Sequence, residues 1–182
     1  QMWQAQQMTN LDDLDEAQAQ RLLLELDFSA RNLKDEGYQV HFDVYRVEQY
    51  LGKVTLPIPG SYNVGNAMGA IALLSQLGLA FSDSQPAFNT YQGLENRFTL
   101  RKAGGIQIVK DYLSHPTGMK RVLDSAQHLT TSKIHCVFKP YRFTLMRYHA
   151  DDYAHAFQNA DELLITTMYA ANEKSIKGID TP

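Results

Sequence analysis

Residues 106–166 read IQIVKDYLSHPTGMKRVLDSAQHLTTSKIHCVFKPYRFTLMRYHADDYAHAFQNADELLIT. Three short apolar runs lie in this stretch, at 106–111, 133–138 and Glu162 to Thr166, and two longer segments separate them. His115 to His128 and residues 146–158 carry helical spacing, so the order is strand, helix, strand, helix, strand. That alternation predicts an α/β unit with a parallel sheet and right-handed crossovers. The runs at 133–138 and 162–166 are nearly continuous in apolar residues, the pattern of strands buried on both faces.

Working outward, residues 97–102 and 106–111 flank Gly104-Gly105 and predict a hairpin. Upstream, 27–33, 38–47 and 50–57 predict a small antiparallel meander, with Asp35-Glu36-Gly37 as a turn. Val40, Phe42 and Val44 alternate with polar positions, as in a half-buried strand. Pro59-Gly60 breaks the chain, Ser61 is a capping residue, and Val64 to Leu79 repeats small and apolar residues at helical spacing. Ser82-Asp83-Ser84 predicts the cap of a further short helix. Residues 11–26 predict a helix capped by Asp12 or Asp13, with Leu22, Leu23, Leu24 and Leu26 as its apolar face. The division between an α+β first part and an α/β second part falls near 93–104.

The chain has 182 residues, 44% hydrophobic and 20% charged, with formal net charge -3. This composition supports a globular core and lacks the basic surface that nucleic-acid binding needs. The single cysteine, Cys136, allows no internal disulfide framework or multi-cysteine metal site, and its apolar neighbours make it a core residue rather than a nucleophile. No apolar run approaches the ~20 residues that span a bilayer. The Gln-rich, acidic start lacks signal-peptide character, so a cytoplasmic location without membrane insertion is expected. The first residue is not Met, so the sequence is read as a piece of a longer protein.

In open α/β sheets, ligands bind beyond the carboxyl ends of the strands. Those ends carry Lys110 to Thr117, Lys139 to Thr144 and Met168 to Glu173. Asp111 could hold a metal ion through its carboxylate, His115 could bind phosphate or position a substrate, and Arg142 could grip a carboxylate or phosphate with a two-pronged hydrogen bond. Helix capping by Asp111 and His115, and a surface ion pair for Arg142, suit the same positions. His149, Asp151, Asp152 and His155 read as a solvated helix face rather than a metal cluster. No G-x-x-x-x-G-K-[ST] phosphate loop occurs in these residues.

Five motifs in one order then resemble the Mur ligase family, in particular its alanine-adding branch. P-G-x-H-N-x-x-N-A is matched by Pro59 to Ala67, G-x-x-R-R-F by Gly93 to Phe98, and D-D-Y-x-H-H-P-T-E by Lys110 to Gly118. F-Q-P-H-R-Y-T is matched by Phe138 to Thr144, and Y-A-A-G-E by Tyr169 to Glu173. The resemblance runs from about residue 27 to the end. It implies that residues 1–96 close a central ATP-binding domain, with 1–26 unplaced. Residues 97–182 would begin an incomplete Rossmann-like C-terminal domain.

The implied activity is an ATP- and Mg2+-dependent joining of L-alanine to UDP-N-acetylmuramate through an acyl phosphate, in peptidoglycan and cell-wall biosynthesis. By the same resemblance Asn63 and Asn66 lie near the adenine and Arg97 near the phosphates. Asp111, His115 and Arg142 are catalytic, while Tyr112, Ser114 and Arg142 contact substrate; no residue is implied as a metal ligand. The chain departs from the motifs at Tyr62 (for His), Asn96 (for Arg), Lys110 (for Asp), Ser114 (for His) and Gly118 (for Glu). Leu145 stands where an Arg often follows, with Arg147 two residues on. These departures keep open a ligase for another amino acid or peptide, or a non-catalytic module derived from the family. Without a phosphate loop, the 182 residues alone are expected to be inactive.

Overall fold

The computed structural model describes residues 27–179; the helix expected over 11–26 lies outside them. The first unit is the meander β1 (Phe28–Asp35), β2 (Val40–Arg46) and β3 (Gln49–Leu56), antiparallel in the order β1-β2-β3. The expected turn forms between β1 and β2. Asp35 Oδ1 accepts from the Gly37 amide at 2.8 Å, and the Glu36 amide donates to the Gln39 carbonyl at 2.9 Å. Gly37 has φ +83°, and a Cβ there would meet the His128 carbonyl oxygen at 2.8 Å. This position therefore needs glycine both for its left-handed backbone and for close approach.

Helix α1 (Tyr62–Gln76) packs on the sheet, followed by α2 (Phe81–Asn89). The alternating Val40, Phe42 and Val44 are fully buried with Val54 and Leu56 of β3 and Val64, Ala67 and Ile71 of α1. The α1 residues follow the i, i+3, i+7 spacing of one helical face. Burying each large side chain contributes about 1.5–3 kcal/mol. Ser61 occupies the N-cap of α1 as expected, though with helical angles and no side-chain cap bond; the expected cap of α2 is corrected. Ala80, rather than Ser82, Asp83 or Ser84, occupies the N-cap of α2, and Ser84 Oγ donates instead to the Phe81 carbonyl at 3.0 Å.

The hairpin of β4 (Thr99–Ala103) and β5 (Ile106–Lys110) follows, paired from Thr99↔Lys110 to Ala103↔Ile106. Helix α3 (Pro116–Gln127) leads to β6 (His135–Phe138), and β6 pairs in parallel with β7 (Glu162–Ile165). Met119 of α3, Phe138 of β6, and Tyr153 and Ala156 between the strands form a second core. The parallel arrangement is as expected, but among the described residues β5 pairs with β4 and not with β6 or β7. The Gly104-Gly105 turn brings β4 alongside β5 locally, so the hairpin partner captures that strand.

Two further expectations are corrected. The apolar runs at 133–138 and 162–166 are not buried strands: Val137 is 68% exposed and Leu164 61%. Phe138 alone of β6 enters the second core, and among the described residues no other strand joins β6 or β7. The helix expected over 146–158 is two short ones, α4 (Phe143–Tyr148) and α5 (Ala150–Ala156). They meet at His149, whose φ of -117° leaves the helical range.

Candidate functional site

A cleft of about 1200 Å³ opens between the two cores. Tyr62, Asn63 and Asn66 from the first turns of α1 line one side; Arg97 and Asp111 line it with Gly118 and Arg121 of α3. Pro59-Gly60 ends the path from β3 and starts α1. The Gly60 carbonyl accepts from the Asn63 amide at 3.0 Å, while Asn63 Nδ2 donates back to the Pro59 carbonyl at 2.8 Å. Gly60 has φ +94°, and a Cβ there would strike the Tyr62 ring and lie 3.0 Å from Ser125 Oγ. Asn66 Nδ2 donates to Asn63 Oδ1 at 3.1 Å. Asn63 is thus anchored on both sides of its amide and orients Asn66 one turn along. Burial, and next the Asp111 carboxylate, push the Tyr62 phenol above its ordinary range.

Asp111 organises the opposite side. Its Oδ2 accepts from the Phe98 amide at 2.9 Å and its Oδ1 from the Leu113 amide at 2.9 Å. Arg97 Nη1 lies 3.6 Å from Oδ1; the Asp111 side chain is 9% exposed and that of Arg97 61%. Asn96 and Phe98 have φ of +60° and +44°, values that cost non-glycine residues energy unless surrounding bonds enforce them. Here the Asn96 amide donates to Thr99 Oγ1 and the Tyr112 amide to the Asn96 carbonyl, both at 2.9 Å. The carboxylate therefore pins the bend that presents Arg97 to the cleft.

Arg142 stands elsewhere, beyond the carboxyl ends of β6 and β7. Its amide donates to the Tyr169 carbonyl at 2.9 Å, as the Tyr169 amide does to the Pro140 carbonyl. Tyr141 and Tyr169 stack at 5.7 Å, the Arg142 guanidinium lies 5.2 Å from the Tyr141 ring, and Lys139 Nζ lies 5.4 Å from that of Tyr169. Arg142 has φ 64° and ψ 129° and starts α4. Glu173 fixes this start from 29 residues away, accepting from the Thr144 amide at 3.0 Å and the Thr144 hydroxyl at 2.6 Å. Those bonds hold its carboxyl below the usual range.

Of the sequence-predicted residues, Asn63, Asn66, Arg97 and Asp111 share the cleft, whereas Tyr112, Ser114, His115 and Arg142 do not line it. His115 caps α3, its Nδ1 accepting from the Thr117 amide at 3.3 Å. Tyr112 is exposed, with Lys110 Nζ 5.8 Å from its ring. Burial raises the Cys136 thiol above its usual range, which fits an inert side chain. Sequence reasoning missed Arg121, and it placed Glu173 in a strand-end loop and in the last motif without giving it a role. Gly118, Arg121 and Val122 share one face of α3 and line the cleft, a spacing that could have identified Arg121. The motif marks Glu173, but its contact with Thr144, 29 residues away, is not readable from local sequence.

The cleft's donor set suits a nucleotide: amides match the hydrogen-bonding edge of a purine, and two guanidinium groups match phosphate. A divalent cation carried on phosphate oxygens needs only one or two carboxylates from the protein. Among the described residues no three His, Cys, Asp or Glu side chains converge as a cage, and both Asp111 oxygens already hold backbone amides.

Residues 96–180 match the family profile of the Mur ligase, glutamate ligase domain. The chain is 35% identical over 153 residues to the UDP-N-acetylmuramate--L-alanine ligase of Anaeromyxobacter dehalogenans, covering 84% of this chain and 33% of that protein. For the enzyme of the same name from Geotalea daltonii the identity is 33% over 159 residues, covering 87% and 35%. The chain thus spans about a third of the length of these relatives. In fold it is similar to the UDP-N-acetylmuramate-alanine ligase of Thermotoga maritima, with TM-score 0.67, 24% identity, and coverage of 79% of this chain and 32% of that one. Folylpolyglutamate synthetase from Lactobacillus casei shares the fold with TM-score 0.56 at 16% identity, over 76% of this chain and 34% of that one.

Proposed function

We propose that this chain, which belongs to the Mur ligase family, forms one wall of the nucleotide site and part of the amino-acid site of an ATP-dependent ligase. The reaction is the joining of L-alanine to UDP-N-acetylmuramate in peptidoglycan synthesis. The observation that carries this reading is the cleft between the two cores, where the Asn63–Asn66 amide pair faces Arg97 and Arg121. The division of residues 1–96 from 97–182 belongs to the same proposal: the meander and α1 end the central domain, and the hairpin begins the C-terminal one.

ATP, when bound, supplies the phosphoryl group that activates the sugar-acid carboxylate; the alanine amine then forms the amide and phosphate leaves. Asn66, oriented by Asn63, reads the purine edge with one amide N–H and its side-chain oxygen. Arg97 and Arg121 offset phosphate charge, and Arg97 is already set in place by the bend that Asp111 holds. Such preorganised cations do not have to reorganise as charge develops. Arg142, exposed beside Tyr141, holds a substrate carboxylate, with the Glu173–Thr144 contact fixing its backbone. No residue of this chain is assigned to Mg2+.

The test is amino-acid-dependent phosphate release by the full gene product that contains these residues, with UDP-N-acetylmuramate and ATP present. Release that requires L-alanine, and falls at least tenfold in Asn66→Ala through a raised KM for ATP, supports the reading. Release with a different amino acid would favour the rival of the same family to which Ser114 points. No release with any amino acid would refute the ligase assignment.

A further inference from the structure

The residues preceding and opening α5 make contacts that the proposed reaction does not use. Tyr153 is buried in the second core, and its hydroxyl donates to the Ser114 carbonyl. One turn earlier, the His149 ring meets the His115 ring edge-on, with centroids 4.4 Å apart. His149 Nδ1 lies 3.0 Å from Asp152 Oδ2, and the His149 side chain is 29% exposed. The sequence treats His149, Asp151, Asp152 and His155 as one solvated face; instead His149 and Tyr153, four residues apart, turn inward together. They grip two successive residues, Ser114 and His115, in the loop between β5 and α3.

We propose that His149 and Tyr153 are positioning residues that clasp the Ser114–His115 loop and set the orientation of the His115 imidazole. Three observations support this. The Thr117 amide donates to His115 Nδ1, so the neutral ring carries its proton on Nε2 and presents a donor. His115 is itself exposed, so its ring stays accessible beside the contact with His149. The Tyr153 hydroxyl fixes the carbonyl immediately before that residue, which limits how far the loop can shift. His149 breaks the helix between α4 and α5; an unbroken helix would carry the ring elsewhere. The break at His149 is therefore part of the clasp.

This inference rests on the ligase reading together with the family resemblance, which implies that Ser114 and His115 meet substrate, and its test separates the two. Tyr153→Phe removes only the hydroxyl and keeps the core ring; His149→Ala removes the edge-on ring, and His149→Phe restores a ring there. In the full gene product labelled with 15N-histidine, long-range 1H–15N spectra of wild type are expected to show His115 protonated on Nε2. Tyr153→Phe and His149→Ala should average that signal, and His149→Phe should restore it. With L-alanine and ATP varied separately, both loosened variants should raise KM for alanine about five- to tenfold, leave KM for ATP unchanged, and recover in His149→Phe.

A His115 signal unchanged in both loosened variants overturns the clasp, whatever the turnover. Lowered thermal stability with an unchanged alanine KM in an active enzyme also overturns it, because a merely structural contact gives that result. If wild type shows no alanine-dependent release, the ligase assignment fails, and the histidine spectra still decide the clasp.

Discussion

Asp111→Asn removes a carboxylate whose two oxygens each accept one backbone amide at 2.9 Å, from Phe98 and from Leu113. An asparagine offers one acceptor oxygen and one NH2 group, so one amide must face another donor. A hydrogen bond to a charged acceptor contributes about 1.5–3 kcal/mol, and an amide left unsatisfied costs about 1–3 kcal/mol. The neutral bond that remains offsets part of this, and the expected loss is about 2–4 kcal/mol. The Arg97 contact at 3.6 Å adds little, because Arg97 is mostly exposed and such ion pairs contribute about 0–1 kcal/mol. For a protein of this size each kcal/mol lowers Tm by roughly 2–4 °C, so Tm should fall by roughly 4–16 °C. Arg97→Gln is the control and should change stability by less than about 1 kcal/mol. The assay is thermal and urea denaturation of the three proteins under one condition. If Asp111→Asn matched wild type within about 0.5 kcal/mol, a scale typical of neutral surface changes, Asp111 would not hold the bend at 96–98.

Arg142→Lys in the full gene product should lower kcat/KM roughly 10²-fold or more, because an ammonium cannot reproduce a two-pronged grip on a carboxylate; steady-state kinetics at limiting and saturating alanine check this. Lys34, with Gln39 and His41, lowers the Glu36 carboxyl from 4.5 to about 2. Its contribution to stability is complete above about pH 4.5 and is lost as pH falls toward 2; acid titrations of wild type and Glu36→Gln should diverge only above that window's lower edge. The exposed apolar face of β6–β7 should make the 182-residue chain self-associate, and Val137→Lys with Leu164→Lys should shift sedimentation toward monomer. The same 182 residues should show no ATP turnover in a phosphate-release assay, since they contain no phosphate loop to cradle the triphosphate.

The sequence by itself determined whatever depends on neighbours along the chain. The two-residue period of Val40, Phe42 and Val44 specified a half-buried strand. Asp35-Glu36-Gly37 specified its turn, and Gly104-Gly105 specified the β4–β5 hairpin. The amide pair Asn63 and Asn66 came from the family motif alone; the helix then sets the two side chains on one face, three residues apart. Tertiary structure decided what depends on distant partners. Apolar content at 133–138 and 162–166 set a capacity for burial, but burial needs a covering layer, and only Phe138 of β6 found one in the second core. Helical spacing over 146–158 could not show the break at His149, nor the contacts of His149 and Tyr153 with His115 and Ser114, more than thirty residues upstream. Asp111 read as a helix cap or as a carboxylate able to hold a metal ion from its place after a strand. Which amides its two oxygens meet depends on the hairpin folding back to bring Phe98 beside it. Local periodicity encodes which face a side chain occupies; only the closed chain decides what lies opposite that face.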